Sequence, residues 1–110
     1  MVKSTKLSLE EQKKIVPASF LDVEGKYKEN LLGETVIEGK LNSSSTIAKY
    51  KDAVVNVNFY TKTDTYLSSE EFVVYEFVNP GSEVDFKIKT KAPKGYDKLS
   101  LEIIEAKSVD

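Results

Sequence analysis

The chain has 110 residues, of which 40% are hydrophobic and 31% charged, and its formal net charge is −2. This length fits one domain with a buried core, and the slightly acidic balance argues against the basic surface typical of nucleic-acid-binding proteins. The sequence has no Cys, His or Trp. Disulfide scaffolds, thiolate zinc sites, His-based catalytic triads and Cys nucleophiles are therefore excluded.

Residues 1–16 differ from the rest, and we expect a linker or short helix there, followed by one domain over residues 17–110. The sequence Ser8-Leu9-Glu10-Glu11 fits a capping box, which predicts a helix over residues 9–15 that ends before Pro17. The chain shows no apolar segment typical of a signal peptide, and no run approaches the roughly 20 apolar residues that span a bilayer. We expect neither feature in this sequence, and we identify no internal repeat.

Three strands are predicted in the first half of the remaining chain, where β-branched and aromatic residues alternate with turn residues. The first covers residues 19–28, and Gly25 within it indicates a bulge or a close approach of two backbones. The second covers residues 34–42, before a serine-rich turn. The third covers residues 53–61 and is the clearest, because Val55, Val57 and Phe59 alternate with Asn56, Asn58 and Tyr60.

Three further strands are predicted in the second half, over residues 71–78, 83–90 and a last segment in which Leu99, Leu101 and Ile103 alternate with polar residues. Short turns between strands favour antiparallel pairing, and the alternation gives each sheet one wet face. We therefore predict an all-β fold, an immunoglobulin-like antiparallel β-sandwich of six to seven strands. A partly open barrel is the alternative.

The strand over residues 71–78 has apolar residues on both faces. Phe72, Val74 and Val78 share one face with Glu76, and Val73, Tyr75 and Phe77 share the other. A bulge near Glu76 would let both ends bury their apolar side chains. Alternatively another segment covers the second face, and the N-terminal segment is a candidate.

The sequence resembles the FxLYD-type domains, small extracytoplasmic bacterial domains with immunoglobulin-like folds. The resemblance rests on Gly39-Lys40-Leu41-Asn42, on Val55-Asn56-Val57-Asn58-Phe59-Tyr60, on Lys62-Thr63-Asp64-Thr65, and on Pro80-Gly81 followed by Phe86. It departs from the family pattern at Thr65, where a Gly is frequent. The resemblance implies an exported bacterial protein, in the periplasm or at the cell surface, with a non-catalytic interaction or spacer role.

Residues with catalytic or metal-binding chemistry form no convincing pattern. Glu70 and Glu71 are adjacent and would point to opposite faces of a strand. Loops could gather carboxylates for calcium, with Asp52 and Asp97 as candidates, but no calcium-loop motif is present. Residues 43–45 are serines and Lys49 is near, without the context of a Ser–Lys nucleophile. We expect no enzyme activity, no cofactor and no metal.

The outward side chains of the third strand are the candidate ligand-binding residues. Asn56, Asn58 and Tyr60 would form a polar and aromatic platform of the kind that binds sugars, whereas ordinary cross-strand packing is the alternative. The lysines at 87, 89, 91 and 94 are interpreted as a solvated edge strand rather than a nucleic-acid site.

Two functions follow from these observations. The first is a non-catalytic interaction or spacer module of an exported bacterial protein, whose partner is another protein or a domain of the same parent chain. The alternative is a carbohydrate-binding module that uses the Tyr/Asn platform on one sheet face. We expect neither nucleic-acid binding nor direct insertion into a membrane, and the sequence leaves the oligomeric state open.

Overall fold

The structure, a computed structural model, describes residues 20–109. Its six strands are β1 (Leu21–Glu29), β2 (Thr35–Ser43), β3 (Lys49–Tyr60), β4 (Tyr66–Val78), β5 (Glu83–Thr90) and β6 (Lys98–Val109). This range contains no α-helix, and no helix in it is long and apolar enough to cross a membrane. The predicted linker or helix within residues 1–16 lies outside the described residues.

The six strands form two antiparallel sheets of three strands each. One sheet has the order β1-β2-β5 and the other has the order β4-β3-β6. The two sheets pack face to face, so the predicted all-β sandwich of immunoglobulin-like type is confirmed. Its strand number is at the lower end of the predicted range.

The core lies between the sheets and is built from the inward-facing residues of the central strands β2 and β3. Ile37 and Leu41 of β2, and Val55 and Val57 of β3, are completely buried. Val55 and Val57 belong to the period-two alternation that the sequence showed in β3. Tyr50, the second residue of β3, is also completely buried.

Gly25 lies directly opposite Gly39 in the β1–β2 pair, where the register is continuous. An ideal Cβ on Gly25 would be 2.9 Å from the carbonyl oxygen of Glu38 and 3.1 Å from the Cα of Gly39. Of the two interpretations that the sequence allowed, the close approach of backbones is therefore confirmed. A bulge at this position is absent from the ladder.

The pairing of β3 with β4 is interrupted at Asp52, which occupies the left-handed region with a φ of 51°. Lys51 pairs with Phe77 and Ala53 pairs with Val74, so Asp52 alone faces two residues of β4. This irregularity places the predicted bulge near Glu76. Val74 and Val78, which share one face of the strand, are buried, whereas Val73 and Phe77 on the other face stay exposed. The bulge therefore does not bury the apolar residues of both faces.

The outer face of the β1-β2-β5 sheet is almost entirely charged. Acidic side chains occupy one end of the two edge strands, namely Asp22, Glu24, Glu83 and Asp85. Lysines occupy the other end, namely Lys26, Lys28, Lys87 and Lys89. In the two middle rows of side chains across the sheet, the central strand β2 carries the charge opposite to that of the edge strands. Lys40 lies between Glu24 and Asp85, and Glu38 lies between Lys26 and Lys87. β5 is an edge strand, as its lysines predicted.

Candidate functional site

The outer face of the β4-β3-β6 sheet holds the residues that the sequence singled out. Asn56, Asn58 and Tyr60 lie at alternate positions of the central strand β3 and point away from the core. Asn56 faces Glu71 of β4 and Glu102 of β6 in register. The predicted outward orientation of all three residues therefore agrees with the register of the sheet.

The two asparagines belong to a cross-strand hydrogen-bonded cluster. Asn56 Nδ2 donates to Asn58 Oδ1 at 2.8 Å and to Glu102 Oε1 at 3.0 Å. Asn58 Nδ2 lies 3.3 Å from Glu102 Oε1 and 3.4 Å from Ser100 Oγ. Because Asn56 is only 9% exposed, these bonds satisfy an amide that would otherwise be costly to bury. Here the structure supports ordinary cross-strand packing for Asn56.

The cluster continues across β4 through side chains that sequence reasoning missed. Ser69 Oγ donates to Asn58 Oδ1 at 2.6 Å, and Tyr66 OH lies 2.6 Å from the same Ser69 oxygen. The Tyr66 ring packs edge-on against Tyr60, with ring centroids 6.1 Å apart. The paired aromatic rings and the polar cluster form one continuous surface at this end of the sheet.

An apolar stripe lies on β4 toward the other end of the same strand. Its members Val73, Tyr75 and Phe77 are 40%, 77% and 54% exposed. The Lys49 ammonium group lies 4.4 Å from the centroid of the Phe77 ring, which is within the range of a cation–π contact. We call these three residues the β4 apolar stripe. They remain exposed despite the bulge, whereas Val74 and Val78 on the opposite face of β4 are buried.

The β4 apolar stripe lies on an edge strand, because among residues 20–109 β4 pairs with β3 alone. Isolated apolar side chains on a surface need no explanation, but adjacent exposed aromatic residues on an edge strand are typical of interaction surfaces. The sequence signal was the run Val73-Val74-Tyr75 followed by Phe77, which cannot bury all its members in a two-layer fold.

Carboxylates and serines with possible chemistry have structural partners. Within residues 20–109 no group of three or more acidic side chains could hold a metal ion. Asp52 lies at the interruption of the β3–β4 pairing, whereas Asp97 precedes β6, where its backbone N donates to Tyr60 O at 2.9 Å. The structure therefore does not bring these two calcium candidates together.

The serine run forms a turn rather than a nucleophile. Ser45 Oγ accepts hydrogen bonds from the backbone N of Ala48 at 2.8 Å and of Ile47 at 3.3 Å. Ser43 Oγ accepts one from the backbone N of Ser45 at 3.2 Å. The Lys49 ammonium group is directed to Phe77. These contacts assign the hydroxyls to holding the turn before β3.

Comparisons with known proteins give a fold and no family. No family model matches the chain, and a comparison with curated proteins found no match. A solved structure from the structural characterization of IrmA from Escherichia coli is similar, with a TM-score of 0.59 and 12% identity over 83% of this chain and 78% of that chain. At this identity the similarity shows the shared all-β fold alone. By fold, the chain is an antiparallel β-sandwich similar to that of IrmA.

Proposed function

We propose that the chain is a non-catalytic interaction module of an exported bacterial protein and that it binds through the β4 apolar stripe. The observation that carries the proposal is the exposure of Val73, Tyr75 and Phe77 together on one edge strand. Large aromatic side chains contribute most to protein interfaces because they bury much apolar area at little entropic cost. The partner is a protein surface, in another chain or in another domain of the same parent protein.

The export part of this proposal rests on the resemblance to the FxLYD-type domains. Cell fractionation with an antibody against the chain tests it separately from the binding surface. Recovery from the periplasm or the cell surface is the expected result. Recovery from the cytoplasm alone would reject export and leave the binding proposal intact.

Site-specific photo-crosslinking in the producing cells tests the binding surface. A benzoylphenylalanine at position 75 should give one discrete adduct, because Tyr75 is the most exposed member of the stripe. The matched control is the same probe at Lys28, on the charged outer face of the other sheet. A spacer without a partner would give no adduct at either position, and this outcome would overturn the proposal.

A binding measurement with purified components completes the test. The protein found in the adduct is purified and titrated with the wild-type chain, with Tyr75→Ser, and with Lys28→Ser. We expect Tyr75→Ser to weaken binding at least about tenfold, in line with the loss of one central aromatic contact. Equal affinities of the three chains would reject the β4 apolar stripe as the binding surface.

A carbohydrate-binding module is the second candidate, and one observation favours it. Tyr60 and Tyr66 stand side by side next to the polar cluster, so the surface offers apolar rings beside hydrogen-bonding groups. Against it, the amide of Asn56 is already used within the sheet.

Amide-correlation NMR with pooled soluble oligosaccharides decides this alternative. Shifts at Asn58 and Tyr60 that disappear in a folded Tyr60→Ala variant would support it. The matched control is Tyr75→Ala, which removes an exposed ring elsewhere on β4. An unchanged spectrum at saturating oligosaccharide would end the carbohydrate proposal.

A further inference from the structure

The sandwich is open along the edge formed by β1 and β6. A crevice of about 230 Å³ lies between the two strands. Apolar side chains and one glycine line most of it: Val23, Gly25, Tyr27, Ile37, Leu99 and Leu101. Gly25 leaves room because it has no side chain, and a Cβ there would be 3.2 Å from Leu101 Cδ1.

Inward-facing side chains along this edge remain incompletely buried. Leu99, Leu101 and Val23 are only partly buried, and Tyr27 is 38% exposed, whereas Ile37 on the neighbouring central strand is fully buried. The opposite edge of the sandwich is bridged by a hydrogen bond from Thr90 Oγ1 to Glu70. Apolar surface remains accessible along the β1–β6 edge.

The fold class places a further strand at this edge. In immunoglobulin-like sandwiches, the sheet built around the third strand contains a strand beyond the one that corresponds to β6. Within residues 20–109 the sheet has only the order β4-β3-β6, and no strand pairs with the outer edge of β6. The crevice lies where that additional strand would cover the core.

A segment with the right pattern is present earlier in the sequence. The five residues Lys6-Leu7-Ser8-Leu9-Glu10 are identical to Lys98-Leu99-Ser100-Leu101-Glu102 of β6. The expectation of a chain without internal repeats is therefore wrong. In β6 this pentapeptide directs its two leucines inward and leaves Ser100 and Glu102 exposed, as strand alternation requires.

The length of the intervening chain allows this segment to reach the crevice within one molecule. Nine residues separate Glu10 from Phe20, and nine extended residues span up to about 30 Å. Gly25, at the centre of the crevice, lies four residues along β1 from Leu21, a distance of about 13 Å.

We propose that residues 6–10 of the same chain add a strand along the β1–β6 edge, with Leu7 and Leu9 seated in the crevice. The leucines would cover the half-buried row of Leu99, Leu101 and Val23, while Lys6, Ser8 and Glu10 remain in solvent. Strand addition of this kind combines main-chain hydrogen bonds with pockets for alternate side chains. The proposal replaces a simple linker in residues 1–16 and is independent of the proposed function.

Paramagnetic broadening measured by NMR on the full chain tests the proposal. The protein has no cysteine, so Ser8→Cys gives a single attachment point for a nitroxide label. We expect the amide signals of residues 23–27 and 99–103 to broaden most, and those of β5, two strands away from β1, to broaden less. Absence of broadening at the β1–β6 edge, or chemical shifts that show a helix over residues 9–15, would overturn the proposal.

Two further samples separate the possible occupants and control for folding. In the labelled chain, Leu7→Ser with Leu9→Ser should abolish the broadening, whereas Ile15→Ser with Val16→Ser, matched in type and outside the repeat, should retain it. The reverse result would reject the role of the repeat. A mixture of nitroxide-labelled chain with isotope-enriched chain that carries no nitroxide tests whether a second copy is the occupant. Broadening in that mixture would overturn the assignment to the same chain.

Discussion

Gly39 and Phe86 are direct register partners in β2 and β5, and the Phe86 ring lies where a side chain on residue 39 would begin. An ideal Cβ on Gly39 would be 2.5 Å from Phe86 Cζ and 2.6 Å from the carbonyl oxygen of Glu24. The ring could move, but the carbonyl belongs to the backbone of β1. An aromatic ring packed over a strand glycine is a known means of covering exposed backbone in sheets.

Gly39→Ala should therefore destabilise the protein by about 2–3 kcal/mol, since forcing atoms into a packed core costs that much. Urea unfolding followed by circular dichroism measures the change. Glu38→Ala, at the exposed neighbouring position, is the control and should stay within about 0.5 kcal/mol of the wild type. Similar stabilities for Gly39→Ala and the control would show that β1 and β5 shift enough to accommodate the added methyl group.

The strain at Asp52 gives a second prediction. Because its φ is 51°, a glycine there relieves the backbone, whereas a β-branched residue adds strain. The Lys107–Asp52 ion pair adds little to the free energy of unfolding, because its charged atoms are 3.9 Å apart and the lysine side chain is exposed. We expect Asp52→Gly to leave the free energy of unfolding unchanged or raised by up to about 1 kcal/mol, and Asp52→Val to lower it by about 1–2 kcal/mol.

Thermal or urea unfolding of the two Asp52 variants checks this order. Asp52→Ala separates the lost carboxylate from the backbone effect, because alanine removes the charge without adding a branched side chain. If Asp52→Val is as stable as Asp52→Gly, the bulge does not require the left-handed conformation.

Tyr50 gives a prediction at alkaline pH. Burial raises the pKa of its phenol above the ordinary value of 10.0, and a hydrogen bond with Ser45 acts in the opposite direction. A group that holds its proton more tightly when folded contributes stability below the unfolded pKa and loses it as pH rises through the folded pKa. The free energy of unfolding should therefore fall above pH 10.

Urea unfolding between pH 8 and pH 11.5 measures this decline in the wild type and in Tyr50→Phe. The variant cannot ionise at this position, so its stability should fall less steeply above pH 10. Tyr75→Phe is the control for an exposed tyrosine and should follow the wild-type slope. Parallel curves for Tyr50→Phe and the wild type would contradict the assignment to Tyr50.

The pair of Lys98 and Asp64 gives a fourth prediction. Lys98 Nζ lies 2.5 Å from Asp64 Oδ1, and this hydrogen bond raises the pKa of Lys98 above its ordinary value of 10.5. The contribution of the pair to stability is complete below pH 10.5 and is lost as pH rises through the raised pKa.

NMR titration of the Lys98 side chain in Asp64→Asn should show the pKa returning toward 10.5. Asparagine tolerates the left-handed backbone that Asp64 adopts, with a φ of 67°, so the turn is retained. Because both side chains are exposed, we expect little change in the free energy of unfolding at pH 7. An unaltered Lys98 pKa in the variant would show that the ion pair does not form in solution.

Sequence reasoning succeeded where local pattern and turn residues agreed. The predicted bounds of β5 match the structure, because its strict alternation is flanked by Pro80-Gly81 and by Pro93. The predicted strand began at residue 71, so residues 66–70 of β4 were missed. Ser68, Ser69 and Glu70 lack strand alternation, and pairing with β3 imposes the extended conformation.

The candidate site was only partly predictable for a related reason. Alternation along β3 shows that Asn56 and Asn58 point outward. Their partner Glu102 is 46 residues from Asn56 in sequence, and the register of β3 with β6 brings the two together. Register over such distances depends on core packing and bulges that a single sequence does not display.

The charge arrangement on the outer face of the β1-β2-β5 sheet makes the molecule an electric dipole. The acidic and lysine ends of the edge strands have centres about four residues apart, or roughly 13 Å. A net charge of −2 conceals this separation. In dilute buffer the protein should orient in an applied field or near a charged surface with its lysine end toward negative charge. At about 0.15 M salt, where the Debye length is about 8 Å, screening should remove most of this alignment.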